Sequence, residues 1–221
     1  MQMIPIRIFF SKTGRVKYTS HLDTMRAMTR AFSRSGLPFW KTQGFNPHMY
    51  MTFALPIALG YEGLCESIDA RLTEETPFEE VVKRLQDVVP PGFEILEAAT
   101  PVREPSAIAL ADYMVHLRYR EPKAPELCAK LDAFLQQPVI EVTKKTKKGN
   151  ALVDIKPLCA LLEAQQAEQE LRLRLRLATG NTVNINPTLF LKAFYDWCGI
   201  LPEGANIVRT GIYTAEMEIF R

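Results

Sequence analysis

The chain has 221 residues, of which 47% are hydrophobic and 24% charged, which is typical of a soluble globular protein and not of a disordered or fibrous one. It contains neither the roughly 18-residue apolar run of a membrane span nor an opening signal-peptide pattern, so we expect a cytoplasmic protein with no membrane contact. The net charge of +2 excludes little, but residues 1–60 hold eight basic and one acidic side chain, whereas residues 61–105 hold four basic and eleven acidic ones. This asymmetry favours either a polyanion-binding surface beside an acidic one or two runs that neutralise each other in the fold.

The first half of the chain predicts the element order β-α-β-β-α-β, which is the ferredoxin-like pattern. Ser20 is the predicted N-cap of the first helix, Asp23 lies in its first turn, and Gly36 stops it. Pro77 opens the second helix, with acidic residues in its first turn. The predicted elements are, in chain order, a strand at 3–10, a helix from Ser20 to Gly36, strands at 49–57 and 64–72, a helix at 77–89 and a strand at 93–102.

The second half follows a predicted linker at 103–110 and repeats the same order without sequence identity to the first. Its predicted elements are a strand at 112–120, a helix at 124–137, a long strand or hairpin over 139–158, an additional helical piece at 159–170, a strand at 170–180, a helix at 186–199 and a strand at 206–216. We therefore predict an α+β protein of two tandem ferredoxin-like (βαββαβ) domains with antiparallel sheets, at residues 1–105 and 106–221.

The four cysteines offer no metal or cofactor motif. No C-x-x-C pair occurs, which argues against structural zinc, and no close triplet could hold an iron–sulfur cluster. We predict reduced thiols, no metal and no cofactor. The cysteines are Cys65, Cys128, Cys159 and Cys198.

Arginines recur at four-residue intervals in the first helix. At 100° per residue this helix has two faces. The apolar face, expected to pack on a sheet, is Leu22, Met25, Met28 and Phe32. The roughly opposite face is Arg26, Arg30 and Arg34. Three guanidinium groups on one face suit phosphates because each offers a planar fork of donors. The alternative interpretation is an ordinary solvated helix face.

Basic residues also recur in the second half. The strand "LRLRLRL" alternates leucines with Arg172, Arg174 and Arg176, so the arginines share one sheet face, together with basic residues of the strand at 112–120. That face suits RNA phosphates or guanidinium stacking, unless acidic residues of the other domain neutralise it. The loop "TKKTKKGN" adds further lysines, and "VDIKP" places Asp154 and Lys156 on one face of a strand. The predicted RNA-contacting set is Lys12, Arg26, Arg30, Arg34, Lys41, Lys144, Lys145, Lys147, Lys148, Lys156, Arg172, Arg174 and Arg176.

Candidate catalytic residues are few. His21, with Lys12 and Tyr18, could form a general acid–base group for RNA cleavage, and His48 is a second possibility. Glu66 and Asp69 lie three apart on a predicted strand, point to opposite faces and make no obvious carboxylate pair. No phosphate-binding glycine loop, H-E-x-x-H or G-x-S-x-G motif occurs.

Three stretches, "KTGRVKYTSHLDTMR", "GLPFW" and "GFNPHMYMTFALPIALGYEGLCESID", resemble the bacterial radical-SAM-linked proteins, a family of unknown function whose domain occurs alone or fused to the C-terminal end of a radical SAM protein. "VDIKP" at 153–157 fits the family's second landmark. The motif positions in this chain are Tyr18, Ser20, His21, Asp23, Gly44, Phe45, Asn46, Pro47, His48, Glu66, Asp69 and Asp154.

The resemblance implies a role in RNA work, because such proteins tend to be encoded beside a radical SAM protein and often near ribosomal-protein or ribonuclease genes. Any radical chemistry would belong to the partner, since this chain lacks the three-cysteine motif. We therefore predict an RNA-binding accessory protein that positions tRNA or rRNA for a radical SAM partner. The alternatives are a metal-independent endoribonuclease using His21, similar to the CRISPR repeat-processing enzymes but without their glycine-rich loop, or a protein–protein adaptor.

Overall fold

The computed structural model describes residues 3–120, 124–146, 149–167, 169–180 and 183–221. The chain splits into two compact units, Met1–Ala107 with Ile219–Arg221, and Ile108–Glu218. The predicted α+β class with antiparallel strand pairing is confirmed. None of the helices in the described ranges is long and apolar enough to cross a membrane. The assignment of two separate domains at 1–105 and 106–221 stays a prediction.

The first unit has the predicted order of six main elements. They are β1 (Ile4–Lys12), α1 (His21–Arg34), β2 (Met51–Phe53), β3 (Glu62–Leu72), α2 (Phe78–Gln86) and β4 (Phe93–Ala99). β1 pairs with both β3 and β4, and β2 pairs with β3, so the strands lie in the order β4-β1-β3-β2, all antiparallel. The predicted strand at 49–57 is reduced to the three residues of β2.

One face of this sheet is buried under the two helices. Ile6, Ile8 and Phe10 of β1 alternate toward the helices and are at most 1% exposed. α1 begins as predicted, because Ser20 Oγ accepts a hydrogen bond from Asp23 N at 3.1 Å. Its predicted apolar face is wrong at Leu22, which is 48% exposed. Leu22 lies about 120° around the helix from the buried Met28, and Thr24 is buried instead.

The second unit contains a four-stranded sheet, two helices and a separate hairpin. Its elements are β5 (Ile108–Arg118), α3 (Ala124–Gln136), β6 (Glu141–Thr146), β7 (Gly149–Asp154), β8 (Cys159–Ala167), β9 (Glu170–Ala178), α4 (Pro187–Cys198) and β10 (Gly204–Thr214). The sheet order is β10-β5-β9-β8, and β6 pairs with β7, so of the two structures predicted for 139–158 the hairpin is correct.

Two predictions for the second unit are wrong. Residues 159–170 were expected to add a helical piece, since Ala, Leu, Glu and Gln favour helices. The segment Cys159–Ala167 is instead an edge strand that hydrogen-bonds to β9, and this pairing overrides the local preference. The predicted linker at 103–110 is also too long, because β5 already begins at Ile108 and pairs with β10 from there.

Candidate nucleic-acid interface

The outer face of α1 carries three exposed arginines, one of which contacts the backbone of another segment. Arg26 is exposed and makes one long contact, 3.4 Å from Nη1 to Asp23 Oδ1, within its own helix. Arg30 is exposed, and no acidic residue of the described chain lies within ion-pair distance of it. Arg34 differs, because its Nη2 donates a hydrogen bond to the carbonyl of Val88 beyond α2. Phosphate binding by the three arginines stays a prediction, with Arg26 and Arg30 less engaged by the rest of the first unit than Arg34.

The arginines of β9 are all paired with acidic residues. The leucines between them are at most 1% exposed, so the arginines share the opposite face, as alternation requires. Their contacts are Arg172 Nη2 to Glu170 Oε2 at 2.9 Å, Arg174 Nη1 to Glu163 Oε2 at 3.6 Å, and Arg176 to both Asp112 oxygens at 2.7 and 2.8 Å. The neutralising acids come from the same unit, whereas the sequence suggested the other domain.

Arg176 is the most constrained of these three. Its guanidinium is bidentate to Asp112, which is 4% exposed, and lies 5.2 Å from the ring centroid of Tyr213. The hydrogen bonds that Arg176 donates to the Asp112 carboxylate raise the pKa of Arg176 above its usual value. This arginine is held within the sheet and is not available to an external phosphate.

The predicted contacts of the lysine-rich β6–β7 hairpin lie mostly outside the described residues. Lys144 Nζ donates to the carbonyl of Asn184 at 2.7 Å. Lys147 and Lys148 lie outside the described residues, as does the side chain of Lys145. The predicted phosphate contacts of these three lysines therefore stay predictions.

The "VDIKP" stretch has a structural role in the second unit. Asp154 Oδ1 accepts hydrogen bonds from the backbone N–H groups of Ile140 and Lys156, both at 3.0 Å, and Lys156 Nζ donates to the carbonyl of Gln137. Asp154 ends β7, whereas Lys156 begins a short 3-10 turn, so the two do not share a strand face as predicted. Together they fasten the hairpin to the end of α3.

Lys12 does not fit its predicted role as a phosphate ligand, because it is 1% exposed. Its Nζ donates to the carbonyl of Thr19 at 2.9 Å, and the charge of Glu66, which is 2% exposed, acts on it. Burial lowers the pKa of Lys12, while the field of Glu66 opposes that shift. A Cβ on Gly63 would lie 2.2 Å from Glu66 Oε1, so the glycine leaves the space that this carboxylate occupies.

Asp69 is also occupied internally, on the other face of β3. It accepts two hydrogen bonds from Arg7, at 2.6 and 2.7 Å, and the Arg7 guanidinium lies 4.3 Å from the Phe220 ring centroid. Arg7 is 1% exposed. Glu66 and Asp69 therefore belong to two separate buried arrangements and do not act as a carboxylate pair.

The proposed acid–base group around His21 is not assembled in this structure. His21 is exposed, and its ring packs edge-on against Phe53 with 5.0 Å between centroids. Tyr18 is 69% exposed, Lys12 is buried, and these two make no hydrogen bond with each other or with His21. The described residues also contain no group of three His, Cys, Asp or Glu side chains placed to hold a metal ion.

The "GFNPH" stretch forms the ordered tip of a hairpin. Thr42 N donates to the His48 carbonyl at 2.8 Å, His48 N donates to Thr42 Oγ1 at 3.1 Å, and His48 Nδ1 lies 2.9 Å from the same hydroxyl oxygen. Gly44 has φ of +133°, a conformation that side chains rarely adopt. Phe45 is fully exposed at the tip. His48 thus has a structural role in closing the loop, which explains it without catalysis.

Three residues at the base of this hairpin were missed by sequence reasoning. Trp40 and Tyr50 lie with ring centroids 5.3 Å apart, and the guanidinium carbon of Arg71 lies 4.7 Å from the Tyr50 centroid and 5.6 Å from that of Trp40. The available signal was the alternation of these residues with apolar neighbours in "PFWKT", "HMYMT" and "DARLT". This alternation predicts a cluster only when the pairing of the three segments is already known.

Comparison with known proteins gives one family match. A family described as "Uncharacterized protein conserved in bacteria (DUF2344)" matches residues 5–187. A search of curated proteins finds no match. Among solved structures, the chain is similar to one titled "Crystal Structure of an Unknown Protein from Galdieria sulphuraria", at 12% identity and a TM-score of 0.28, covering 95% of this chain and 99% of that one.

Proposed function

We propose that this chain, which belongs to the DUF2344 family of uncharacterized proteins conserved in bacteria, is an RNA-binding accessory protein. The observation that carries the proposal is the pair Arg26 and Arg30 on the outer face of α1. Both side chains are exposed, and the one acid nearby, Asp23, is itself exposed and 3.4 Å from Arg26. Their charge is therefore available to an external anion.

RNA is the anion that fits this arrangement best. Arg26 and Arg30 are one helical turn apart, about 6 Å along the axis, which matches the order of spacing between successive phosphates of a nucleic-acid strand. The surrounding residues 1–60 carry eight basic side chains and one acidic one. A single small anion would need only one such group, whereas a polyanion uses the whole surface.

Binding of a fluorescent RNA at increasing salt tests this proposal. We expect Arg26→Gln with Arg30→Gln to weaken binding about ten-fold at low salt and to reduce the slope of log affinity against log salt by about one to two. Arg172→Gln with Arg174→Gln is the matched control, because those arginines already have acidic partners. Equal affinity and slope in the α1 variant and the native protein would refute the proposal.

The partner we propose is a radical SAM protein, on the basis of the sequence resemblance alone. If RNA joins the two proteins, a radical SAM protein encoded beside this chain should co-purify with it and be lost after nuclease treatment. A complex that resists nuclease would favour the protein–protein adaptor instead. An RNA-linked role of this kind would take place in the cytoplasm.

We also propose that each unit is ferredoxin-like. In the first unit the strand order β4-β1-β3-β2 with two helices on one face supports this assignment. In the second unit the order β10-β5-β9-β8 is equivalent if the β6-β7 hairpin is an insertion before β8. An experimental structure of either unit would test the assignment.

A further inference from the structure

We propose that the hairpin tip and base of the first unit form a stacking site for the bases of single-stranded RNA, made by Phe45 and by the cluster of Trp40, Tyr50 and Arg71. This inference rests on the proposed RNA-binding function and adds to it the part of the RNA that is recognised. The α1 arginines would hold phosphates, whereas this second surface would hold bases. Among the described residues, the ring contacts of Trp40, Tyr50 and Arg71 are with one another and not with Arg26 or Arg30.

The cluster lies on the sheet face that the helices leave uncovered. An antiparallel bridge joins Lys41 to Met49, so Trp40 lies opposite Tyr50, and Trp40 N donates to the Arg71 carbonyl at 2.8 Å. The chain neighbours of these residues belong to the buried core, namely Phe39, Met49, Ala70 and Leu72. Because side chains alternate across a strand, Trp40, Tyr50 and Arg71 point away from that core.

Arg71 has the surroundings of a ligand-binding group rather than a structural one. No acidic residue of the described chain pairs with it, whereas Arg7 on the neighbouring strand donates two hydrogen bonds to Asp69. Its guanidinium lies over two aromatic rings, and among the described residues its side chain makes one weak polar contact, 3.5 Å from Nη1 to Met3 Sδ. A guanidinium that lies on rings presents a planar cationic surface, on which a base can stack.

Phe45 adds a second aromatic surface at a fixed position. The bonds between Thr42 and His48 close the loop below it, so the backbone that carries Phe45 is ordered. The side chain is fully exposed and contributes nothing to the core. An aromatic ring exposed on a closed loop offers a free face on which a base can stack.

Single-stranded RNA fits this chemistry better than a duplex or an acidic protein. Bases in a duplex are already stacked and offer no free face to a side chain, whereas unpaired bases stack on aromatic and guanidinium planes. An acidic protein surface would need salt-bridge donors, but here one cation accompanies three aromatic rings. Lys41, exposed next to Trp40, supplies a charge for the connecting phosphate.

Tryptophan fluorescence tests the site directly, because the chain has only two tryptophans. In a Trp197→Phe background, Trp40 is the sole tryptophan and can be excited selectively over the tyrosines. We expect short single-stranded oligonucleotides of uridine or adenosine to quench it, and duplex RNA of the same length to leave it unchanged. Phe45→Ala should weaken single-strand binding about ten-fold and keep the salt slope, since a stack and not a phosphate contact is lost.

Phe45→Ala is a safe variant for folding because its side chain packs against nothing. Leu59→Ala, which removes another apolar side chain of the same unit, 62% exposed, is the matched control. RNA binding that depends on Arg26 and Arg30 but neither quenches Trp40 nor responds to Phe45→Ala would overturn this inference and leave the proposed function standing. Absence of RNA binding in the native protein would overturn both. A nuclease-resistant protein partner lost in Phe45→Ala, without Trp40 quenching by RNA, would assign the surface to protein docking and also overturn it.

Discussion

The arginines of α1 and those of β9 both recur at regular intervals in the sequence, but they differ in how many acidic partners the fold places beside them. On β9 the register places an acidic residue of a neighbouring strand beside Arg174 and Arg176, and Glu170 on the same strand contacts Arg172. On α1, Arg30 is exposed and has no acidic partner among the described residues. Periodicity therefore predicts which face a charge occupies, but its availability depends on what the tertiary structure places opposite.

The largest expected effect comes from breaking the most buried pair on the β9 side. Asp112→Ala would leave Arg176 partly buried and without its bidentate partner, at side-chain exposures of 6% for Asp112 and 26% for Arg176. We expect the free energy of unfolding to fall by about 3 kcal/mol. Urea unfolding monitored by circular dichroism measures it. The control is Asp23→Ala on α1, whose pair with Arg26 is exposed and long and should contribute far less to the free energy of unfolding. Equal losses in the two variants would contradict the contrast.

The α1 side is more sensitive to its cap than to its ion pair. Ser20→Ala removes the acceptor for Asp23 N and should lower the free energy of unfolding by about 1 kcal/mol. Ser33→Ala is the matched control, because that hydroxyl also bonds within α1, to the Thr29 carbonyl, but caps nothing. Thermal or urea unfolding measures both variants. A loss of stability as large in Ser33→Ala as in Ser20→Ala would contradict a specific effect of the cap.

A smaller effect should follow when two arginines of β9 lose their acidic partners, so that their charge becomes available to an external anion. Glu163→Gln with Glu170→Gln removes the partners of Arg174 and Arg172 and keeps side-chain size. We expect RNA affinity at low salt to rise about two- to three-fold and the salt slope to steepen by less than one. If affinity does not change, the freed arginines do not reach the RNA, and the β9 face plays no part in binding.

The smallest expected effect is the titration of Asp23. A hydrogen bond from Ser20, and then the charge of Arg26, lowers the pKa of Asp23 below its usual value of 3.8. A carboxyl whose pKa is depressed in the folded state adds stability that is present above 3.8 and is lost as the pH falls through the lower folded value. Carboxyl NMR should show the pKa of Asp23 returning toward 3.8 in Ser20→Ala. An unchanged pKa in that variant would assign the shift to Arg26 alone.

Local signals predicted the parts of the fold that depend on neighbouring residues in the chain. The Ser20 cap, the start of α4 at Asn186 and the alternation of β9 were all readable, because each depends on contacts within a few residues. β8 was not readable, since its helix-favouring composition is overridden by pairing with β9. The burial of Lys12 was equally hidden, because it depends on the tertiary surroundings of its side chain, which include the Thr19 carbonyl and Glu66.

The stacking cluster illustrates the same limit at the candidate site. Trp40, Tyr50 and Arg71 come from three segments up to 31 positions apart, and only their pairing brings the two rings and the guanidinium together. The sequence emphasised runs of basic residues, whereas the most distinctive arrangement contains one cation and two rings. Phe45, by contrast, was within the "GFNPH" motif, but its full exposure depends on the loop being closed by Thr42 and His48.

A substitution at Gly63 would act through the space that its missing side chain leaves to Glu66. Its backbone is not in the left-handed region, so glycine is needed there for room and not for conformation. An added methyl group would displace the carboxylate of Glu66, whose field opposes the lowering of the pKa of Lys12. Gly63→Ala would then change the electrostatic field at Lys12 although no ionisable group has been altered.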